Sequence, residues 1–471
     1  MTESQLKQAY HNCLFVLDES SMVSNGDMLK FAKFIDQYNL RAVPLGDIKQ
    51  IKGMSDGKPF EVLQHAKAMD VAYMNDIIRQ KELVQNNQRI KGDDILLKSV
   101  EHISQAKVKA SISRLKEQKN VSDIQYRSNR SVYQKIIKND DLEDYIKQNV
   151  ISTYKENDTN DKSQINLSTF NDKNKQVDKQ VAKEEAYNSM VKGVAYDYLS
   201  RTDQTRSDTL LIAYSHKTRD AVTEIIREGL TEDNTLKNED TLTRLRAVNL
   251  KDTQKKHNLS SYLNNYIICE SGKTYYKIND VDKVNNTVEL INVDTNKSKI
   301  IKPETINAER YSFFVKETMP LAENDLVTMR KTDGIKGYKT NDSFVVKTIN
   351  DNDVILKNND KEISLSKEKL TDLHWDYNYV KTVNSAQGAT AKYTIGVDEP
   401  SSPLANLTRL YVALSRATDH YRMYTTEDKK LLLKVLQNDG DKYSALEVLR
   451  EFITDWSYAL FNFSYSNFIS K

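Results

Sequence analysis

The chain has 471 residues, 38% hydrophobic and 29% charged, with 69 Lys+Arg against 67 Asp+Glu for a formal charge of +2. Average usage would put roughly 33 Gly and 24 Pro in such a chain, but it holds 13 and 6, which excludes collagen-like repeats and Pro- or Gly/Ser-rich linkers. No apolar run approaches the ~20 residues of a membrane span, and the N-terminus MTESQLKQAYHN lacks a signal-peptide pattern. Cys13 and Cys269 have no partner at metal-ligand spacing. The expectation is a reduced, cytoplasmic chain of roughly three domains, with no membrane insertion and no structural zinc. The charge balance neither demands nor excludes nucleic acid, because a groove can be basic on a neutral protein.

In chain order, NCLFVLDESSM predicts a strand over Leu14 to Leu17 that ends in two acids and hydroxyl residues. An amphipathic helix follows, with Met28, Phe31, Ala32 and Ile35 at helical spacing. LRAVPLGDIKQ predicts a second short strand ending in a Gly-Asp turn, and KPFEVLQHAKAMDVAYMNDIIRQ predicts helical segments closed by Arg79 and Gln80. Residues 91–190 are polar and poor in apolar periodicity. KVKASISRLKEQK within them suits a surface helix, and NDTNDKSQINLSTFNDKNKQVDKQ a loop. Then come a helix around EEAYNSMVKGVAYDYLS, a buried strand TLLIAYS and the helix TRDAVTEIIREGL. Residues 262–372 hold short β-branched and aromatic runs separated by turn residues, which predicts small β-barrel-like modules. The α/β pattern returns through VKTVNSAQGA, KYTIGVDE and YVALSRA, the last taken as an apolar strand ending at Arg416, and the tail WSYALFNFSYSNF is aromatic.

The chemistry lies at the strand ends. Leu14 to Met22 has the form of a Walker B strand, which delivers carboxylates to the C-terminal edge of a parallel sheet, where open α/β folds bind ligands. A pattern this short also occurs in strands that merely end in exposed acids. Gly46 to Gln50 ends the next strand at the same edge, with an amide suited to sensing a γ-phosphate. Arg79 and Arg416 come from separate parts of the chain, as an arginine-finger pair would. Thr382, Asn384, Ser385, Gln387 and Gly388 form a strand-to-turn segment with hydroxyl and amide groups suited to a phosphodiester backbone.

In this order the segments resemble those of superfamily-one DNA helicases, with DESSM as motif II, GDIKQ as motif III, IIRQ as motif IV, NSAQG as motif V and YVALSR as motif VI. Within that group the likeness is to the RecD-like, 5′–3′ helicase region of conjugative relaxases, the TraI/MobF family. It extends over nearly the whole chain except about 100–185 and the last forty residues. The resemblance implies an α/β fold of RecA-like P-loop NTPase lobes, the first incomplete, with small β-barrel (SH3-like) insertions. It divides the chain into a truncated first lobe (1–90), a polar connector (91–190), the start of the second lobe (191–261), β-rich insertion modules (262–372), the end of the second lobe (373–430) and a helical, aromatic tail (431–471). It implies ATP and Mg²⁺ as cofactors, with Asp18 serving the metal, Glu19 the attacking water, Gln50 the coupling, and Arg79 and Arg416 the transition-state charge. Asp18, Gln50, Gln387 and Gly388 would touch the nucleotide. Thr382, Asn384, Ser385 and His216 would touch single-stranded DNA, with Arg330 and Lys331 lining its channel.

Two departures accompany the likeness. The family carries GxxxxGK[ST] upstream of motif II, whereas only 17 residues precede Asp18 here. The one GK[ST], Gly272-Lys273-Thr274, has Ile267 where the first glycine is needed and leads into TYYKI, a strand where the phosphate loop requires a helix. The second departure is Asn384, which stands where motif V usually has His. The expectation is therefore a C-terminal helicase fragment from a split or truncated gene. ATP hydrolysis would need a separate P-loop-bearing chain, with the upstream relaxase portion and the conjugative transfer machinery as partners. The alternatives are a non-catalytic single-stranded-DNA-binding or transfer-assembly module, a pseudogene product, or a fragment of a RecD-like repair helicase. Arg330 and Lys331 suit a solvated turn equally well, and helix capping by Ser215 explains the His216 segment as readily as DNA contact does.

Overall fold

The computed structural model describes residues 3–50, 57–74, 76–77, 79–80, 84–85, 88–89, 94–115, 117–118, 124–128, 133, 150–151, 174–399, 402, 404–426, 433–434 and 436. Gly53 of the motif III stretch, most of the expected loop NDTNDKSQINLSTFNDKNKQVDKQ, Pro400, Pro403 and the aromatic tail lie outside them. The elements run α1 (Glu3–Ala9), β1 (Leu14–Leu17), α2 (Asn25–Gln37), β2 (Arg41–Pro44), α3 (Pro59–His65), β3 (Val84–Gln85), β4 (Gln88–Arg89), α4 (Ile95–Ser104), α5 (Val108–Leu115), β5 (Val150–Ile151), α6 (Asn174–Ser200), α7 (Asp203–Ser207), β6 (Thr209–Ala213) and α8 (His216–Glu232). The chain continues through β7 (Lys237–Val248), α9 (Asp252–His257), β8 (Tyr266–Glu270), β9 (Thr274–Asp282), β10 (Thr287–Asn292), β11 (Ser298–Ile301), β12 (Tyr311–Glu323), β13 (Leu326–Met329), β14 (Ser343–Ile349), β15 (Asp353–Lys357), β16 (Glu362–Ser366) and β17 (Trp375–Tyr377). It closes with β18 (Val380–Thr382), β19 (Ala391–Asp398), α10 (Leu407–Leu414) and β20 (Ala417–Thr425). These form two compact units, one from residues 1–127, 139–219 and 381–471, the other from 128–138 and 220–380.

The first unit holds two parallel arrays. β1 pairs in parallel with β2, Leu14 opposite Arg41 and Leu17 opposite Pro44. α2 makes the crossover, opened by the Ser24 hydroxyl, which accepts from the Asp27 amide at 3.1 Å. Phe15, Phe34, Tyr10 and Tyr38 pack together with centroids 5.1–6.1 Å apart, edge to face except for the tilted Phe34–Tyr38 pair, against one face of the two strands. Leu14, Val16, Val43 and Leu45 lie 36–56% exposed. The larger sheet has the order β18-β6-β19-β20-β5, in which β6, β19 and β20 are parallel and β5 antiparallel. α4 and α5 pack into its core through Leu96, Val100, Ile103, Ile112 and Leu115. KVKASISRLKEQK is therefore not the surface helix expected. Val108, Ile112 and Leu115 are three to four residues apart, and the intervening Lys109, serines and Arg114 mask that stripe in a composition average.

The region after the first helical turns also differs from expectation. α3 begins with Pro59 at its first positions and ends at His65, and Lys67 turns left-handed. Arg79 and Gln80 sit in a bend rather than at a helix end. YVALSR is not a strand: Leu407–Leu414 is helix α10, capped by the Asn406 side chain, which accepts from the Arg409 amide at 2.9 Å. Short apolar runs fit a buried strand and a buried helix alike. Here Leu410, Val412, Ala413 and Leu414 are all buried, so no alternation remained to decide it.

The second unit is built from antiparallel strands, as the turn-punctuated pattern predicts. They form a six-stranded sheet of order β11-β10-β9-β8-β12-β7 and a five-stranded sheet of order β16-β15-β14-β13-β17. The β-rich region starts with β7, upstream of the expected boundary at 262. Gly272 lies in the turn between β8 and β9, and Thr274 opens β9, so the GK[ST] there is part of a hairpin. Asp325, fully buried, takes both Arg227 Nε and Nη2 at 2.9 Å and the Tyr379 hydroxyl at 2.8 Å, tying α8 to the β12–β13 turn.

Candidate active site

β1 and β2 end side by side, and the backbone holds them there. The Leu45 amide donates to Leu17 O at 2.8 Å, and the Ser20 amide and hydroxyl bind Leu45 O and Leu17 O at 2.7 and 2.6 Å. Gly46 lies against this turn. A Cβ there would meet the Ser21 nitrogen at 2.9 Å, so the close approach needs glycine. The chain therefore places Asp18, Glu19 and Asp47 at one edge.

Asp18 is exposed, and its Oδ1 accepts the Glu19 amide at 2.9 Å. Glu19 is left-handed, φ 51° and ψ 40°, an uncommon conformation for a side-chain-bearing residue and one that concentrates at functional sites. Its pKa is raised, first by burial and then by Asp18 and Asp47, while Arg416 and Arg79 pull it down. Asp47 organises the second strand end. Its carboxylate accepts the Lys49 amide at 2.9 Å, Gln50 Nε2 at 3.3 Å and the Tyr411 hydroxyl of α10 at 2.9 Å. Gln50 Oε1 is buried with no partner among the described residues, an acceptor pre-positioned at the site.

The two arginines converge on the same edge from elsewhere in the first unit. Arg79 Nη1 donates to Ser415 O at 2.9 Å. Arg416 is 1% exposed. Its guanidinium donates to Val412 O at 3.0 Å, the Ser415 hydroxyl at 3.0 Å and Ala389 O at 3.4 Å. Burial, and then the like charge of Arg79, lower its pKa to about 10. Among the described residues it forms no ion pair, so its charge rests on neutral oxygens. Asp18, Glu19, Gln50, Arg79 and Arg416 are thus brought together.

The strand-to-turn segment after β18 is separately ordered. The Thr382 and Ser385 hydroxyls lie 3.0 Å apart, and the Ser385 amide donates to Thr382 Oγ1 at 3.3 Å. Asn384 Oδ1 is buried with no partner among the described residues, and the Gln387 backbone amide donates to Asn384 O at 3.3 Å. Gly388 closes the turn at φ 78°. His216 opens α8, whose cap is Ser215, accepting from the Thr218 amide at 3.1 Å. In the second unit Arg330 pairs with Asp376 at 3.1 Å and Lys331 donates to the Tyr275 hydroxyl at 2.8 Å, so both have intramolecular partners. Asp47, Tyr411 and Gln80 join the site without being singled out by the sequence pattern. Asp47 stood in plain view inside GDIKQ, while the other two are identified only by their contacts.

Among the described residues no cluster of His, Cys, Asp or Glu has the form of a protein-only metal site. The edge suits a metal that brings its own waters and a triphosphate. Asp18 offers an exposed carboxylate, and Mg²⁺ is bound through one or two carboxylates plus phosphates. No helix of the described residues is long and apolar enough to cross a membrane.

A model of an AAA domain family, AAA_30, matches residues 2–125. The chain is 24% identical over 449 residues to the multifunctional conjugation protein TraI of Escherichia coli, covering 93% of this chain and 23% of that protein. It is 24% identical over 425 residues to TraI of Escherichia coli strain K12, covering 88% and 22%. The chain therefore spans about a quarter of the length of these relatives. Among solved structures it is similar to Bacteroides Pif1 bound to ssDNA, with a TM-score of 0.40 and 12% identity over 97% of this chain and 79% of that one. The sequence match over most of the chain relates it to a segment of TraI.

Proposed function

We propose that this chain is the motor part of an ATP-dependent 5′–3′ DNA helicase of the conjugative relaxase type, acting on single-stranded DNA during conjugative transfer. The observation that supports it is the convergence of Asp18, Glu19, Asp47, Gln50, Arg79 and Arg416 on one sheet edge. Bound ATP with Mg²⁺ would supply the γ-phosphoryl group and the charge that the arginines neutralise. Asp18 would hold the metal's water shell, and Glu19, partly buried and raised in pKa, would orient the attacking water. Gln50 would report the state of the nucleotide through Asp47 and Tyr411 to α10. Arg79 and Arg416 would stabilise the developing charge, a contribution worth 10³ or more in rate for such fingers. Gln387 and Gly388 would border the nucleotide, and Thr382, Asn384, Ser385 and His216 would hold the DNA backbone.

The 471 residues contain no GxxxxGK[ST] suited to a phosphate cradle, and the apolar face of β1 and β2 formed by Leu14, Val16, Val43 and Leu45 is exposed. Parallel sheets are normally covered on both faces, and two strands are not stable alone. In our reading, polypeptide beyond these residues covers that face and supplies the phosphate loop, in the same chain or as a separate relaxase portion. The test is to combine the chain with a P-loop-bearing polypeptide from immediately upstream and measure DNA-stimulated ATPase. Hydrolysis above the sum of the parts is expected, and none with both proteins folded would overturn the reading. The missing cradle favours one second reading, a non-catalytic single-strand-binding module. It predicts steep salt dependence and no effect of ATP on DNA affinity.

A further inference from the structure

Gln80 is 3% exposed, in a bend and outside any helix or strand. Its amide Nε2 donates to two carbonyls, Ser415 O at 3.2 Å and Ala417 O at 2.7 Å. Those carbonyls stand on either side of Arg416. α10 ends at Leu414, Ser415 is its C-cap, and β20 begins at Ala417, so Arg416 occupies the single-residue joint between helix and strand. The last carbonyls of a helix have no intrahelical partner. Here the one at the joint is taken by Gln80 and Arg79, and Gln80 alone bridges to the strand side.

The Arg416 side chain depends on that joint. Val412 O and the Ser415 hydroxyl, both within the last turn, accept from it, and Ala389 O accepts weakly from across the site. Among the described residues no carboxylate anchors it, so its direction follows the backbone at 415–417. We infer that Gln80 is a positioning residue for Arg416: one primary amide fixes the peptide on both sides of the arginine and so fixes where its guanidinium points. Arg79, its neighbour in sequence, faces the same joint and contributes charge, whereas Gln80 contributes geometry. This inference rests on the proposed role of Arg416 but is tested without it.

The test uses the full chain and the arginine reagent phenylglyoxal, with modification of each arginine read by peptide mass spectrometry. In the wild type Arg416 is protected, as is Arg201, which is fully buried and bonded to Asp197 and Thr209 rather than to Gln80. Gln80→Leu and Gln80→Met remove the donors without adding charge and raise the rate at Arg416 by about fivefold or more, as loss of one neutral hydrogen bond would, while Arg201 stays protected. Unchanged protection of Arg416 in both variants overturns the inference. If either variant exposes Arg201 as well, the other decides, because the two differ in shape but not in the missing donors. With the P-loop polypeptide present, Gln80→Leu lowers kcat with KM unchanged, and the Gln80→Leu/Arg416→Ala double variant is no slower than Arg416→Ala. Additive losses there refute positioning, while an inactive wild type would refute the proposed function and leave the modification result standing.

Discussion

Asp197→Asn removes one charge from a buried cluster that supports the strand leading away from Arg416. Asp197 on α6 has a side chain 3% exposed and faces Arg201 at 0% and Arg422 of β20 at 11%. Its oxygens take Arg201 Nε at 3.1 Å, Arg422 Nη1 at 2.6 Å and the Tyr424 hydroxyl at 3.0 Å. Burial alone would push its pKa up, but Arg201 and Arg422 outweigh that and hold it well below the usual range. Asparagine fills the same volume and leaves two guanidiniums without an anion. Breaking a buried pair in this way costs about 3–5 kcal/mol, because a desolvated charge is left uncompensated. That is a large fraction of the roughly 5–15 kcal/mol that holds a domain folded. Urea unfolding followed by circular dichroism reads the loss, and hydrogen exchange across 190–201 and 417–425 locates it. The pH dependence carries the sign. With the folded pKa below the unfolded one, the stabilisation is fully present above about pH 4 and disappears as pH falls through the folded value. The gap between wild type and variant must therefore close in acid. A loss under about 1 kcal/mol at neutral pH, the range of exposed pairs, would refute the reasoning.

Arg227→Met strands the fully buried Asp325 carboxylate. Urea unfolding read by Trp375 fluorescence in a Trp456→Phe background should show a loss of about 3–5 kcal/mol. Gly396→Ala would drive a Cβ into the Tyr421 hydroxyl oxygen. The overpacking should cost about 1–3 kcal/mol, and a Tyr421→Phe partner substitution should recover part of it in the same melt. Asp398 is fully buried at the end of β19, where burial raises its pKa to about 7. Its folded value lies above the unfolded one, so its contribution is present in acid and fades as pH rises through 7. Asp398→Asn should flatten the thermal stability of the protein between pH 4 and 7, and an unchanged pH slope would count against a buried neutral carboxyl there.

What could be read from the sequence follows from how each feature is encoded. β1, α2 and β2 were legible because strand-end acids, an i, i+3, i+4 stripe and a Gly-Asp turn are local signals, and the structure has all three where the pattern put them. The antiparallel character of the second unit was legible for the same reason. α10 was not, since Leu410, Val412, Ala413 and Leu414 are all buried and so short an apolar run fits a strand as well as a helix. α4 and α5 were hidden by composition, their apolar stripe diluted by lysine and serine.

The site divides along the same line. Asp18, Glu19, Gln50 and Arg416 lie in segments whose residue types announce phosphate chemistry, and the fold brings them to one edge. The contacts that join them are between residues hundreds of positions apart, such as Tyr411 with Asp47 and Gln80 with the peptides around Arg416. A tyrosine or glutamine has no distinctive local signature, because its value lies in which distant backbone or carboxylate it meets. Gln80 illustrates the difference, since it stands beside an arginine that charge alone singles out. The carbonyls it holds become visible only when α10 ends where it does. Sequence thus singled out the groups proposed to touch a nucleotide, and the fold adds the groups that hold them in place.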